Sequence, residues 1–267
     1  MTPAPDALDC IMEIRGISRA FGGLMALDDV SFKIKPGTVH GIIGPNGAGK
    51  TTLFNVITGM IPPSRGEVLM EGRPIPSVRP EILTSLGIAR TFQNIRLFKE
   101  QTVLDNVMIG QHIHTPTPIL SILLGGRRAA QGEAAARDEA MRALRFVDLG
   151  DKASKTVSSL PYGQQRLVEL ARALAAKPKV ILLDEPAAGM NPTEKAHLIK
   201  LLSILKEDGY TIALIDHDMK VVMGNCDVIT VLDHGKKIAE GTSESVHSHP
   251  DVVAAYLGKG RAEVADA

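Results

Sequence analysis

Apolar and polar positions follow two rhythms along this chain, and the change of rhythm divides it. Ile11 to Ile17 and Val30 to Ile34 alternate or cluster apolar residues between polar turns, which predicts two antiparallel strands. Val39 to Ile43, Val180 to Leu183 and Thr211 to Ile215 are short, nearly unbroken apolar runs instead. Strands buried on both faces of a parallel sheet have that pattern. Between the last two runs, Asn191-Pro192-Thr193-Glu194 supplies an N-cap, a proline at the first helical position and a glutamate three residues after the cap. The helix predicted from there to about Lys206 places Leu198, Ile199, Leu201, Leu202 and Leu205 on one side. Val228 to Leu232 and Lys237 to Glu240, joined through Asp233-His234-Gly235, predict a hairpin.

The middle of the chain breaks this pattern. Residues from about Arg96 to Ser159 lack strand rhythm and contain a predicted helix from Glu133 to Val147, whose Ala140, Leu144 and Val147 share a face. We read it as a helical excursion inserted into an α/β core. His112 to Arg128, with two prolines and Gly125-Gly126, is expected to be a loop or helix break.

Composition narrows the function classes. The 267 residues can bury a sizeable core, and Lys plus Arg and Asp plus Glu both total 30, so no global field argues for nucleic acid as a partner. Cys10 and Cys226 form no metal-type cluster and fit a reducing compartment. The N-terminus lacks the basic-then-apolar pattern of an export signal, and no apolar run approaches the ~18 residues of a membrane span. Residues 1–9 and 259–267 are expected to be flexible tails.

The strongest chemical signal follows the first buried run. Gly44-Pro45-Asn46-Gly47-Ala48-Gly49-Lys50-Thr51 spells G-x-x-x-x-G-K-[ST] between a predicted strand and a helix expected from Thr51 to Thr58, ended by Gly59. Glycines let the backbone approach an anion, and the free N–H groups and positive end of the helix face its phosphates. Lys50 reaches the β/γ oxygens, and the Thr51 hydroxyl suits Mg²⁺. Nucleoside triphosphate binding is the expectation. Asp184 and Glu185 close the run 180–183, at the strand end where ligands of open α/β sheets collect. Asp184 is expected to hold Mg²⁺ through its water shell, and Glu185 to position the attacking water.

Longer motifs then carry a resemblance. Leu160-Pro161-Tyr162-Gly163-Gln164-Gln165-Arg166, followed by a predicted helix from Leu167 to Ala176, resembles the signature of ATP-binding-cassette ATPases. Gln93 in Thr91-Phe92-Gln93-Asn94 is similar to that family's Q-loop, Ala187 to Asn191 to its D-loop and His217 to its switch histidine. Phe21 stands where the family stacks an aromatic on adenine. The strings Ala89 to Phe98, Asp184 to Pro192, His217 to Met223 and Pro250 to Gly258 resemble the ATPase subunits of branched-chain amino acid importers. Related urea or amide importers, lipid or lipopolysaccharide exporters and, less closely, cassette proteins of repair or translation are the alternatives.

The resemblance implies an α/β fold of the P-loop NTPase type, with a mixed sheet, an N-terminal antiparallel β subdomain and an inserted α-helical subdomain. One ATPase domain would span 10–258, with a core lobe at 10–93 and 162–258 and a helical part at 94–161. It implies ATP and Mg²⁺ as cofactors, ATP on Phe21, Gly44 to Thr51, Thr52, Gly163 and Gln164, and metal contacts from Thr51, Gln93 and Asp184. Glu185, His217, Gln93 and Lys50 would carry hydrolysis. Two such subunits would close head to tail over two ATP molecules, beneath two permeases fed by a periplasmic binding protein, at the cytoplasmic face of the inner membrane. Pro161 departs from the usual serine and offers neither hydroxyl nor N–H. Weaker closure of the pair is expected.

Overall fold

Two sheets are stacked, and the strand rhythms of the sequence separate them. The computed structural model describes residues 10–75, 80–111 and 127–257. The expected tails 1–9 and 259–267, and the expected loop as far as residue 126, lie outside them. The alternating segments form β1 (Met12–Phe21) and β2 (Leu24–Ile34), an antiparallel pair that turns at Gly22-Gly23. Both run further than their apolar patterns, because cross-strand pairing continues to Phe21 opposite Leu24 after the side chains have become exposed.

Next come β3 (Val39–Ile43) and α1 (Lys50–Ile57), which stops at Thr58 before the left-handed Gly59. The sequence pattern missed β4 (Arg65–Met70), β5 (Arg73–Pro74), α2 (Pro80–Ser85) and β6 (Ile88–Arg90). These elements are short, and Arg65, Gly66 and Glu67 hide the strand rhythm of β4. The helical excursion holds α3 (Val103–Met108) and α4 (Arg127–Phe146), so the expected loop ends before Arg127. The helix after the signature, α5 (Tyr162–Ala175), opens five residues before the expected Leu167, with Pro161 as its N-cap residue. The fixed φ of proline suits that boundary, and Pro161 sits at φ −54° and ψ 152°. Then follow β7 (Val180–Asp184), α6 (Pro192–Glu207), β8 (Thr211–Ile215), α7 (Met219–Asn225), β9 (Val228–Asp233), β10 (Lys236–Gly241), α8 (Ser243–His247) and α9 (Pro250–Leu257). The expected capping box of α6 forms in both directions between Asn191 and Glu194.

Four antiparallel strands lie in the order β2-β1-β4-β5, and six lie in the order β10-β9-β3-β8-β7-β6. Within the larger sheet β9, β3, β8, β7 and β6 are parallel, and β10 pairs antiparallel to β9. The unbroken apolar runs feed both of its faces. Val180 and Leu182 enter the core shared with α1 and the smaller sheet, while Ile181 and Leu183 enter the core shared with the helices. β8 divides likewise, Ala213 and Ile215 to one side and Ile212 and Leu214 to the other. α5 packs on α3 and α4 and shares the helix-side core with β7, so it joins the excursion to the sheet. The boundary expected at residue 161 therefore falls just before a helix that belongs to both parts.

His40 on β3 is 1% exposed, with Nε2 2.8 Å from the Thr230 hydroxyl and its ring stacked on Phe32. Burial, helped by the charge of Lys237, pulls its pKa down to about 4. The unfolded chain takes up this proton near pH 6.5, so His40's contribution to stability is full above that pH and is lost as pH falls toward 4. The expected loss at pH 5 is about 2 kcal/mol. Urea unfolding at pH 7 and pH 5 checks it: His40→Gln should flatten the difference, and an equal pH dependence in both proteins would contradict it.

Candidate active site

Five parallel strands end along the same edge of the larger sheet, and the loops that leave them meet there. β3 delivers Gly44 to Gly49, β6 delivers Thr91 to Gln93, β7 delivers Glu185, β8 delivers Asp216 and His217, and β9 delivers His234. That edge is where open α/β sheets bind ligands.

The glycine loop is fixed by close approach. A Cβ on Gly44, at φ 151°, would lie 2.0 Å from the Leu232 carbonyl oxygen, and one on Gly49, at φ 100°, 2.6 Å from that of Ala26. No other residue type fits at either position without displacing a neighbouring strand. Gly235 N–H donates to the Ala48 carbonyl and the Gly235 carbonyl accepts from Asp28 N–H, so the β9–β10 turn braces the loop. Lys50 is buried, and its ammonium donates to the carbonyls of Gly44 at 2.6 Å and Pro45 at 3.0 Å.

A cavity of about 530 Å³ opens beside this loop. Among the residues chosen from sequence, Phe21, Asn46 to Thr52, Gln93 and Glu185 line it. Gly44, Pro45, Asp184 and His217 lie outside its lining, as do Gly163 and Gln164. Leu24, Met25, Ala26 and His234 complete the wall and were missed. The position of Leu24 to Ala26 directly after the Gly22-Gly23 turn, and of His234 in the second hairpin turn, was the available signal. Phe21 is 42% exposed, with the Arg19 guanidinium 4.6 Å over its ring.

Glu185 sits at φ 48°, a left-handed backbone that costs a non-glycine residue roughly 1–2 kcal/mol. Its N–H donates to the Ile215 carbonyl at 2.8 Å, which ties the strained turn to β8. Strain of this kind persists where the surroundings over-determine the backbone, and here it accompanies a carboxylate turned into the cavity. Glu185 Oε2 accepts from Gln93 Nε2 at 3.1 Å and lies 3.8 Å from His217 Nδ1. Three residues separated widely in sequence therefore converge on one oxygen.

Asp184 is buried behind them, its Oδ2 2.7 Å from Arg90 Nη2. Arg90 also donates to Asn55 and Thr58 and lies between the rings of Phe54 and Phe92. Burial pulls its guanidinium below the ordinary arginine value, and Asp184 opposes that shift. Arg90 and Asp216 were not singled out from sequence. Asp216, 1% exposed, accepts from Ala187 N–H at 3.2 Å and Asp218 N–H at 2.8 Å, so one carboxylate organises both the D-loop and the histidine loop. A charge at the end of a short apolar run was the signal for each.

The signature segment opens α5 elsewhere on the surface. The Glu194 carboxylate fills the space beside Gly163, where a Cβ would lie 2.3 Å from it, and the Tyr162 ring packs on Gly189.

Residues 27–188 match the family described as ABC transporter, and residues 236–262 match that described as branched-chain amino acid ATP-binding cassette transporter. The chain belongs to the ABC transporter ATPase family. As an ABC ATPase it binds and hydrolyses ATP with an α/β cassette fold. It is 41% identical to the high-affinity branched-chain amino acid transport ATP-binding protein BraF of Pseudomonas aeruginosa, over 93% of this chain and 98% of that one. LivG of Escherichia coli, a protein of the same description, is 39% identical over the same shares. Among solved structures, the ADP conformation of an ABC transporter cassette superposes with a TM-score of 0.80 at 36% identity, covering 93% of this chain and 98% of that chain. A dimeric cassette in a post-hydrolysis state, bound to ADP and Pi, gives 0.73 at 26% identity, covering 87% and 98%.

The Arg90–Asp184 pair of this ABC ATPase yields a stability test. Arg90→Met leaves a buried carboxylate without its partner and should destabilise the fold by about 3–5 kcal/mol. Adding Asp184→Asn should recover much of the loss; urea unfolding in which the single substitution costs nothing would refute the assignment.

Proposed function

We propose that this cassette is the ATP-hydrolysing subunit of an importer for branched-chain amino acids. The observation that carries the catalytic part is the approach of Gln93 and His217 to the Glu185 carboxylate, which lines the nucleotide cavity together with Gln93. The transport part rests on the C-terminal family match and on the relatives' described roles. Residues 10–258 act as one ATPase domain, with residues 94–161 as its helical part.

In this reading adenine stacks on Phe21 and the phosphates lie on the N–H groups from Asn46 to Thr52. Lys50, now held by the carbonyls of Gly44 and Pro45, turns to the β- and γ-phosphate oxygens. Glu185 accepts a proton from water as the water oxygen bonds to the γ-phosphorus and the bond to the ADP oxygen breaks. His217 holds the γ-phosphate and that water. Thr51, Gln93 and Asp184 offer the hard oxygen donors that suit Mg²⁺, which when bound neutralises charge on the β- and γ-phosphates. Asp184 keeps its second oxygen for this purpose while the first stays on Arg90.

Gly163 and Gln164, at the start of α5, do not line the chain's own cavity, so they serve a nucleotide held by a second cassette. An ATP-binding cassette 26% identical to this chain is dimeric in its post-hydrolysis state, bound to ADP and Pi. The pair works beneath two permeases, with a periplasmic binding protein as an indirect partner. No helix among the described residues is long and apolar enough to cross a membrane. The proposed position is peripheral, at the cytoplasmic face of the inner membrane, and no nucleic acid partner is expected.

Two measurements test this proposal. Glu185→Gln should bind ATP and hydrolyse it at least ~10²-fold more slowly, and near-normal turnover would remove Glu185 from its role. Pro161→Ser, made in that variant, should add a side-chain cap to α5 and a hydroxyl toward the partner's phosphate. A regained hydrogen bond to a charged group is worth about 1.5–3 kcal/mol, so ATP-driven association should tighten by about tenfold or more in sedimentation. Unchanged association would show that Pro161 does not weaken closure.

A further inference from the structure

The stretch between β6 and α3 has no regular structure from Thr91 to Phe98, so its backbone polar groups need partners from elsewhere. Thr91 N–H finds one in the sheet, donating to the Leu182 carbonyl. Beyond Thr91 the partners change. Arg166 Nη1 donates to the Phe92 carbonyl at 2.6 Å, and Arg166 Nη2 donates to the carbonyl of Gln93 itself and to the Tyr162 hydroxyl. Glu169 accepts from Arg96 N–H at 2.8 Å, and Arg172 donates to the Arg96 carbonyl at 2.6 Å.

Tyr162, Arg166, Glu169 and Arg172 recur at intervals of four, three and three, which puts them on one face of α5. Arg166 and Glu169 are 5% and 1% exposed and lie 3.4 Å apart, so neither can swing into solvent and release the segment. The guanidinium suits this task because its rigid planar fork sends Nη1 to one carbonyl and Nη2 to the next, whereas a lysine ammonium is a single point on a flexible stem. The Gln93 backbone is thus held by the helix that carries the signature, and its side chain touches the carboxylate of Glu185, the residue that follows β7.

We infer that Arg166 is a positioning residue for hydrolysis: it fixes the Gln93 backbone to the signature helix, so that displacement of α5 against the sheet moves the Gln93 amide relative to Glu185. Glu169 and Arg172 hold the next turn of the same segment and keep Arg166 in register. The consequence is that turnover depends on where α5 sits, through a side chain that never touches nucleotide. This inference rests on the role proposed above for Gln93.

The test is a double-mutant cycle on steady-state ATP turnover of the full chain, using Arg166→Met and Gln93→Ala, with thermal unfolding measured for each protein. Arg166→Met should lower kcat by about tenfold and leave KM for ATP within about twofold. Because Arg166 acts through Gln93, the double variant should fall no lower than the worse single one, whereas independent effects would multiply. If Arg166→Met does not fold, Arg166→Lys keeps the charge but loses the planar fork, and should show a smaller loss that vanishes in the Gln93→Ala background. Wild-type turnover in a folded Arg166 variant, or losses that multiply, would overturn the inference and leave the role of Gln93 standing. Normal turnover of Gln93→Ala would instead remove that role, and this inference with it.

Discussion

Irregular backbone crowded at the end of a buried sheet must still satisfy its N–H and C=O groups, and that requirement shapes every loop of this site. The glycine loop passes its Gly44 and Pro45 carbonyls to Lys50 and its Ala48 carbonyl to the β9–β10 turn. The D-loop and the histidine loop share the carboxylate of Asp216. The segment carrying Gln93 is satisfied by α5, the helix that joins the inserted region to the sheet, not by the strand from which it emerges. The glycine loop, the D-loop and the Gln93 segment are therefore each placed by groups belonging to another element, and a movement of that element is a movement of the loop.

Charge placement follows the same logic. Two acids stand side by side at the end of β7, and the fold gives them opposite environments. Asp184 is sunk against Arg90, whose guanidinium also faces the rings of Phe54 and Phe92, and the pairing gives a buried carboxylate a partner where an unpaired one would be costly. Glu185 is turned the other way by a left-handed backbone, toward the cavity, where the Gln93 amide lies within hydrogen-bond distance of its carboxylate and His217 slightly beyond. One carboxylate is buried against a cation, while its neighbour faces the open cavity.

Much of this was legible in the chain. The runs 180–183 and 211–215 announced strands buried on both faces because unbroken apolar sequence has no solvated side to present. The G-x-x-x-x-G-K-[ST] spacing announced the phosphate loop because glycine is required where φ is positive and neighbouring backbone is close, as at Gly44 and Gly49. The short strands β4 to β6 were not legible, since two to six residues carry too little periodicity to stand out from turns. Nor were Arg90, Asp216 and His234, each a single polar residue at a strand end whose partners lie far away in sequence.

Local chemistry, then, was determined by the sequence: which residues could cradle a phosphate, cap α6 or take a proton. Only the tertiary structure decided which of them meet. Gln93, Glu185 and His217 share an oxygen because parallel strand order brings β6, β7 and β8 to one edge, and Gly163 is kept from that cavity because α5 opens on another part of the surface. Motif spacing records the residue types that a reaction needs, whereas the distances among them depend on long-range strand pairing and core packing, which no local window contains.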